Sequence, residues 1–216
     1  MTHALIIHLL TDVNLTKSSK KENAMNAERQ QNKTLDTTVI TGEGRGSYVS
    51  VFQPALNTMS GKEEYSMAFL ISKDDVDTVN AINKAVEAAT TAKWPDASKR
   101  PPNLKNPLRD GDTEKAHDEA YAGHYWVNLK TKNQPGIIDA QMRPVLDVRD
   151  FVSGDYCRIS ANAYAYDQKG NRGVALGLSN VQVTSKGEPL SGAGRRAEDD
   201  FSAFGPAAGA SEDPWS

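Results

Sequence analysis

The sequence predicts a mainly β protein with inserted helices, an α+β fold. Two stretches, 156–166 and 124–130, alternate in polarity with a period of two, as strands do. One long stretch, 76–89, repeats apolar residues at helical spacing. Glycine, proline and asparagine turn signals separate the other extended pieces.

At 216 residues the chain is one domain plus tails, with enough length for a sizeable core. Its 38% hydrophobic and 25% charged content is that of a soluble globular protein. The net charge of −3 carries no global basic signature, so any nucleic-acid contact must use a local patch. The balance is uneven: residues 197–216 hold five acids and no base, which leaves +2 on the rest. A single cysteine, Cys157, excludes an internal disulfide and a cysteine zinc cage and fits a reducing, cytoplasmic location. No apolar run is long enough to span a membrane, so no membrane partner is expected.

The amino-terminal apolar run surrounds His8 and lacks the basic start of a secretory signal. The polar residues that follow show no periodicity, and residues 1–38 read as a disordered extension. A natural start at Met25 is expected, because Lys21-Glu22 can be encoded as a purine-rich ribosome-binding sequence just upstream.

The domain spans 39–190. Its first strand runs from about Ser47 to Gln53 and stops at Pro54. In the second, Tyr65, Met67, Phe69 and Ile71 share a face and Lys73 stands at the end; the two form a hairpin. Ser72 is a candidate N-cap with Asp75 three residues on, and Asp74, Asp75 and Asp77 suit a helix start. Val76, Val79, Ile82, Val86 and Ala89 form the inward face of that helix. A proline-rich loop follows, with Lys93, Trp94, Lys99, Arg100, Lys105 and Arg109. It reads either as a clamp on a phosphate backbone or as a solvated crossing loop. A short helix ends at Gly123.

In the strand 124–131, Tyr125, Val127 and Leu129 point inward, and His124, Trp126, Asn128 and Lys130 point the other way. The hairpin 155–183 repeats that pattern. Cys157, Ile159, Ala161, Ala163 and Ala165 make a small apolar face; Tyr156, Arg158, Ser160, Asn162, Tyr164 and Tyr166 make the other. Gly170-Asn171 is the strongest turn signal between its arms. Aromatic residues beside cations on a non-core face suit stacking on unpaired bases. The competing reading is a second apolar layer packed over them.

The tail 191–216 is rich in Gly, Ala, Ser and acids and reads as disordered. It is either a solubilising tail or an acidic strand mimic with an aromatic tip. An enzymatic alternative rests on Asp110, Asp112, Glu114, His117, Asp118 and Glu119, a cluster that could hold a divalent metal in a nuclease. Its spacing matches neither an EF-hand nor a zincin pair, and helix-start charge explains most of it. No nucleotide-binding or nucleophile-elbow glycine pattern is present, so no cofactor and no catalytic residues are expected. A structural or assembly protein that binds only protein is a third reading.

The segments RGSYVSVFQP, YSMAFLISKDD, LRDGD, AGHYWVNLKT and AYAYDQKGNRGVALGLSNVQV, in this order and spacing, resemble the tailed-phage single-stranded-DNA-binding proteins of the OB-fold type. The likeness covers roughly Glu43 to Val183, with an acidic tail after it. It implies a five-stranded OB barrel elaborated with helices. It also implies sequence-independent protection of unpaired strands in phage replication and recombination, in the host cytoplasm. An acidic tail in such proteins competes with DNA and docks replication partners (polymerase, helicase or primase). Here Asp199, Asp200, Phe201, Glu212, Asp213 and Trp215 would serve, although Trp215 is not terminal. On this reading Tyr156, Arg158, Tyr164, Tyr166, Trp126 and Lys130 line the groove, and Tyr48, Lys73, Arg109 and Arg172 form its rim. A homo-oligomer is compatible with it.

Overall fold

The computed structural model describes residues 37–58, 61–168 and 170–190. Strands β1 (Thr38–Ile40), β2 (Gly44–Asn57) and β3 (Lys62–Ser72) precede helix α1 (Val76–Lys93). Strands β4 (Arg109–Asp110), β5 (His124–Thr131), β6 (Gly136–Ile138), β7 (Tyr156–Gln168) and β8 (Asn171–Ser185) follow. The fold is mainly β with few helices.

The pairings run β1-β7-β2-β3-β5-β8-β6, with β4 on β5. Because β7 also pairs with β8 along its whole length, the ladder from β7 through β2, β3, β5 and β8 returns to β7. The long β7–β8 hairpin therefore belongs to both ends of the ladder. A register shift between Ser160 and Ala161 marks a bulge that bends it. At its base the buried Asp155 carboxylate accepts from Val152 N (2.9 Å), Gly187 N (3.2 Å) and Lys186 Nζ (3.0 Å), so its burial carries no unsatisfied polar atom.

The main core lies inside this circuit. Met67, Phe69 and Ile71 of β3 meet Val127 and Leu129 of β5 and Cys157, Ile159, Ala161 and Ala163 of β7. Helix α1 closes one side with Ile82, Ala85 and Ala89. Val76, expected on that face, is 58% exposed, because it is the first residue of the helix. Asp75, not Ser72, caps it: the Asp75 carboxylate accepts from Thr78 N at 3.0 Å. Ser72 instead ends β3, and its hydroxyl accepts from Asp74 N.

Two other boundaries differ from expectation. β2 runs on through Pro54 to Asn57, and its register with β3 shifts between Ser50 and Ala55. The missing proline N–H falls in that irregular stretch and breaks no ladder bond. The short helix expected before Gly123 is two separate turns, Gly111–Glu114 and Glu119–Tyr121. The Asp118 carboxylate accepts from Ala120 N and starts the second turn afresh. No helix among the described residues is long and apolar enough to cross a membrane.

Candidate nucleic-acid interface

The small apolar face of β7 is buried as its alternation requires, with Cys157 and Ala161 fully enclosed. Burial, followed by Asp155 and Glu43, pushes the Cys157 thiol pKa far up. The opposite face divides into two regions. Tyr156 packs on the Arg45 guanidinium at 5.3 Å, and Arg158 Nε donates to Thr41 O at 3.0 Å. Arg158 also borders an apolar groove of about 200 Å³ with Ile40, Ile138 and Met142. Tyr166 lies eight residues on from Arg158, about 26 Å along an extended strand. Tyr156 and Arg158 therefore stand at one end of that face and Tyr166 at the other.

The other region gathers Tyr164, Tyr166 and Lys130. Tyr164 is 48% exposed. Its ring covers Gly177, where an added Cβ would stand 3.5 Å from Cε1. Gly177 pairs in register with Lys130, whose Nζ is 3.9 Å from Glu64 Oε2. Partial burial, then the Glu64 charge and Tyr166, raise the Tyr164 hydroxyl pKa. Tyr166 borders a cleft of about 620 Å³ with Asn128, Lys105, Arg109, Glu114 and Ala175.

The proline-rich loop forms the far wall of this cleft because Lys105 docks on the hairpin. Lys105 N donates to Arg172 O (3.1 Å), and Val174 N donates to Lys105 O (3.0 Å). Gly173 permits that approach: a Cβ there would meet Lys105 O at 2.6 Å. The other loop cations are engaged locally. Arg100 bonds Glu87, Thr91 and Trp94 O, and Lys99 pairs with Asp96 at 3.1 Å.

Trp126 corrects the sequence reading. It does lie on the face opposite the main core, but it is only 4% exposed. It packs with Ala68, Leu70 and Tyr121 in a second cluster, edge-to-face on Tyr121 at 5.7 Å. The Arg109 guanidinium covers it at 4.1 Å, and Trp126 Nε1 has no hydrogen-bond partner among the described residues. The second apolar layer thus covers Trp126, not the tyrosines. The signal was present in β3, where Met67 to Ile71 are apolar at every position and so demand cover on both faces.

Several predicted rim cations carry carboxylates. Lys73 Nζ is 2.7 Å from both Asp110 and Asp112 and lies 5.0 Å from the Tyr125 ring. Hydrogen bonds to Asp110 and then Asp112 raise the Lys73 pKa. Arg109 Nε donates to Glu114 at 2.6 Å, and Arg172 Nε to Asp167 at 2.9 Å. Of the acids considered as metal ligands, Asp110 and Asp112 share Lys73, Glu114 pairs with Arg109 and Asp118 accepts from Ala120 N, and among the described residues no three ligating groups converge. Tyr48 is 67% exposed at φ +48°. Lys115, absent from the predicted set, stands 5.9 Å from Tyr48, 5.4 Å from Tyr121 and 5.9 Å from Trp126. Lys105 and Asn128 are also additions; their strand or loop position was legible but their convergence was not. The tail residues Asp199, Asp200, Phe201, Glu212, Asp213 and Trp215 lie outside the described residues.

Residues 37–213 match the family described as "Enterobacter phage Enc34, ssDNA-binding protein". No curated protein sequence matches the chain. Among solved structures, the bacteriophage Enc34 single-stranded DNA-binding protein in complex with ssDNA superposes with a TM-score of 0.64 at 16% identity. That match covers 71% of this chain and 89% of that one. A second structure of the bacteriophage Enc34 single-stranded DNA-binding protein gives 0.61 at 18% identity, over 76% and 89%. The bacteriophage T7 single-stranded DNA binding protein gp2.5 gives 0.53 at 17% identity, over 79% and 98%. At these identities the likeness is one of fold.

Proposed function

Because the chain belongs to the Enterobacter phage Enc34 ssDNA-binding protein family over residues 37–213, we propose that it binds single-stranded DNA without enzymatic action. The observation that carries the reading is the juxtaposition of the half-exposed Tyr164 and of Tyr166 with a cleft bordered by Lys105, Arg109 and Asn128. Aromatic faces stack on any base, and neighbouring cations hold the backbone whatever the sequence. Lys130 extends the basic edge past Gly177; Tyr48, Lys73 and Arg172 form the rim. Tyr156 and Arg158, engaged by Arg45 and Thr41, stand outside this groove.

The five-strand circuit β7-β2-β3-β5-β8 supports reading the domain 39–190 as an OB barrel, with β1, β4, β6 and α1 as additions. Stacking sites on the outer face of such strands, beside the tip of a long hairpin, are in keeping with OB-type binding. The protein would protect unpaired strands during phage replication and recombination inside the host cell. The acidic segment 197–216 would compete with DNA for the cleft, and Phe201 and Trp215 would dock replication proteins such as a polymerase or helicase. Truncation at Ala197 should then tighten DNA binding; unchanged or weaker binding removes the competition.

Labelled single-stranded DNA incubated with the protein and Mg or Mn separates this reading from the nuclease alternative. Retention of full-length DNA supports binding, and cleavage that depends on the metal overturns it. The pairing of Asp110, Asp112 and Glu114 with cations favours the former.

A further inference from the structure

We propose that Trp126 is a covered nucleobase-stacking site, capped by the Arg109 guanidinium, which Glu114 holds in place until a backbone phosphate takes its place. The inference rests on the single-stranded-DNA reading and specifies how one part of that site opens. Arg109 and Trp126 are direct partners in the β4–β5 register, so their side chains leave the ladder on the same face. The guanidinium then lies 4.1 Å from the ring centroid, at the distance and on the face that a stacked base would occupy. Trp126 packs with Leu70, Ala68 and Tyr121, while Arg109, which covers its ring, borders the cleft.

Three features make the cap removable. First, Arg109 and Glu114 both border the cleft, and their side chains are 41% and 38% exposed. A phosphate can reach the guanidinium and replace the carboxylate, because both anions accept the same forked pair of N–H donors. Second, only the side chain must swing. The adjacent Asp110 stays anchored by Lys73 at 2.7 Å, so β4 need not leave β5. Third, the buried Trp126 Nε1 has no partner among the described residues in the capped state, so uncapping costs that group no hydrogen bond. Lys115, 5.9 Å from the same ring, remains as a second cation near it.

The sequence of events is an ion-pair exchange. Phosphate displaces Glu114 from Arg109, Arg109 turns from the ring to the backbone, and a base takes the vacated face. Glu114 is then a positioning residue that opposes binding, and its removal should favour the open state.

The test uses the full chain labelled with 5-fluorotryptophan. Three resonances arise from Trp94, Trp126 and Trp215, and W94F and W215F assign Trp126 by elimination. An oligo(dT) added to the wild type should shift the Trp126 resonance. In the free protein, R109A and E114Q should each make that resonance sensitive to the H2O/D2O solvent isotope effect. E114Q should also bind oligo(dT) about two- to five-fold tighter, the effect of removing one exposed competing ion pair. Oligo(dT) binding, followed by anisotropy, with an unmoved Trp126 resonance overturns the proposal and leaves the proposed function intact. E114Q with wild-type exposure and affinity also overturns it. No oligo(dT) binding at all overturns both.

Discussion

The Tyr164 ring lies across Gly177, whose missing side chain leaves the ring edge 3.5 Å from where a Cβ would stand. Gly177 in turn pairs with Lys130 on β5. An aromatic face and a cation are thereby set side by side across three strands, with only a glycine between them. Replacing Tyr164 with Ala should lower single-stranded-DNA affinity by about 1–3 kcal/mol, the usual worth of one stacked base. Tyr164→Phe should retain most of it. Because Tyr164 is 48% exposed, thermal melting should change little. Normal binding by a folded Tyr164→Ala protein would return this ring to a packing role.

Gly173 tests the cleft wall. Its Cβ would collide with Lys105 O at 2.6 Å and Lys105 N at 2.9 Å, and both are backbone atoms that cannot rotate aside. Gly173→Ala should cost about 1–3 kcal/mol of stability, as overpacking does, and should weaken DNA binding by moving Lys105 and Arg109 together. Urea unfolding and anisotropy measure the two effects. Wild-type stability would show that the loop docks elsewhere.

Much of the fold was legible because most strands obey one rule, one face in and one face out. The alternation of β7 placed Cys157, Ile159, Ala161 and Ala163 in the core, where they lie. The strand 124–131 was readable to its ends. The rule failed at Trp126, where its logic is incomplete: a residue opposite the core is exposed only if nothing crosses over it. The turns between Gly111 and Tyr121 do cross, and they bring Tyr121 onto the ring. Strands β1, β4 and β6 were illegible because two or three residues carry no periodicity. The cleft was half legible. Tyr166 and Arg109 were chosen separately, but their meeting depends on Lys105 docking at Gly173, a contact between loop and hairpin that local pattern cannot encode.

Cys157 reports on the core directly. It is fully buried, and burial raises its thiol pKa, so both access and thiolate are lacking. Native protein should resist iodoacetamide or a disulfide reagent at neutral pH and react fully in denaturant. Rapid native labelling would contradict the assignment of β7 to the interior.

The Lys73 clip should fail in acid. The hydrogen bond from Lys73, then that from Gly123 N, holds the Asp112 carboxyl below its ordinary 3.8. A depressed carboxylate pKa contributes stability above the unfolded value, and that stability is lost as pH falls through the folded value. Wild type should therefore exceed Asp112→Asn in urea stability at neutral pH, with the difference closing below about pH 4. A difference that does not shrink as the pH falls below about 4 would mean that Asp112 acts through geometry and not charge.

The most direct measurement is equilibrium binding of labelled single-stranded and duplex DNA over a salt series. Lys105, Arg109 and Lys130 beside the tyrosines predict preference for the single strand. They also predict a log–log salt slope of about −2, from about −0.7 per phosphate contacted. Salt-independent affinity, or equal affinity for duplex, would contradict a cleft that holds unpaired bases between tyrosines and phosphate-binding cations.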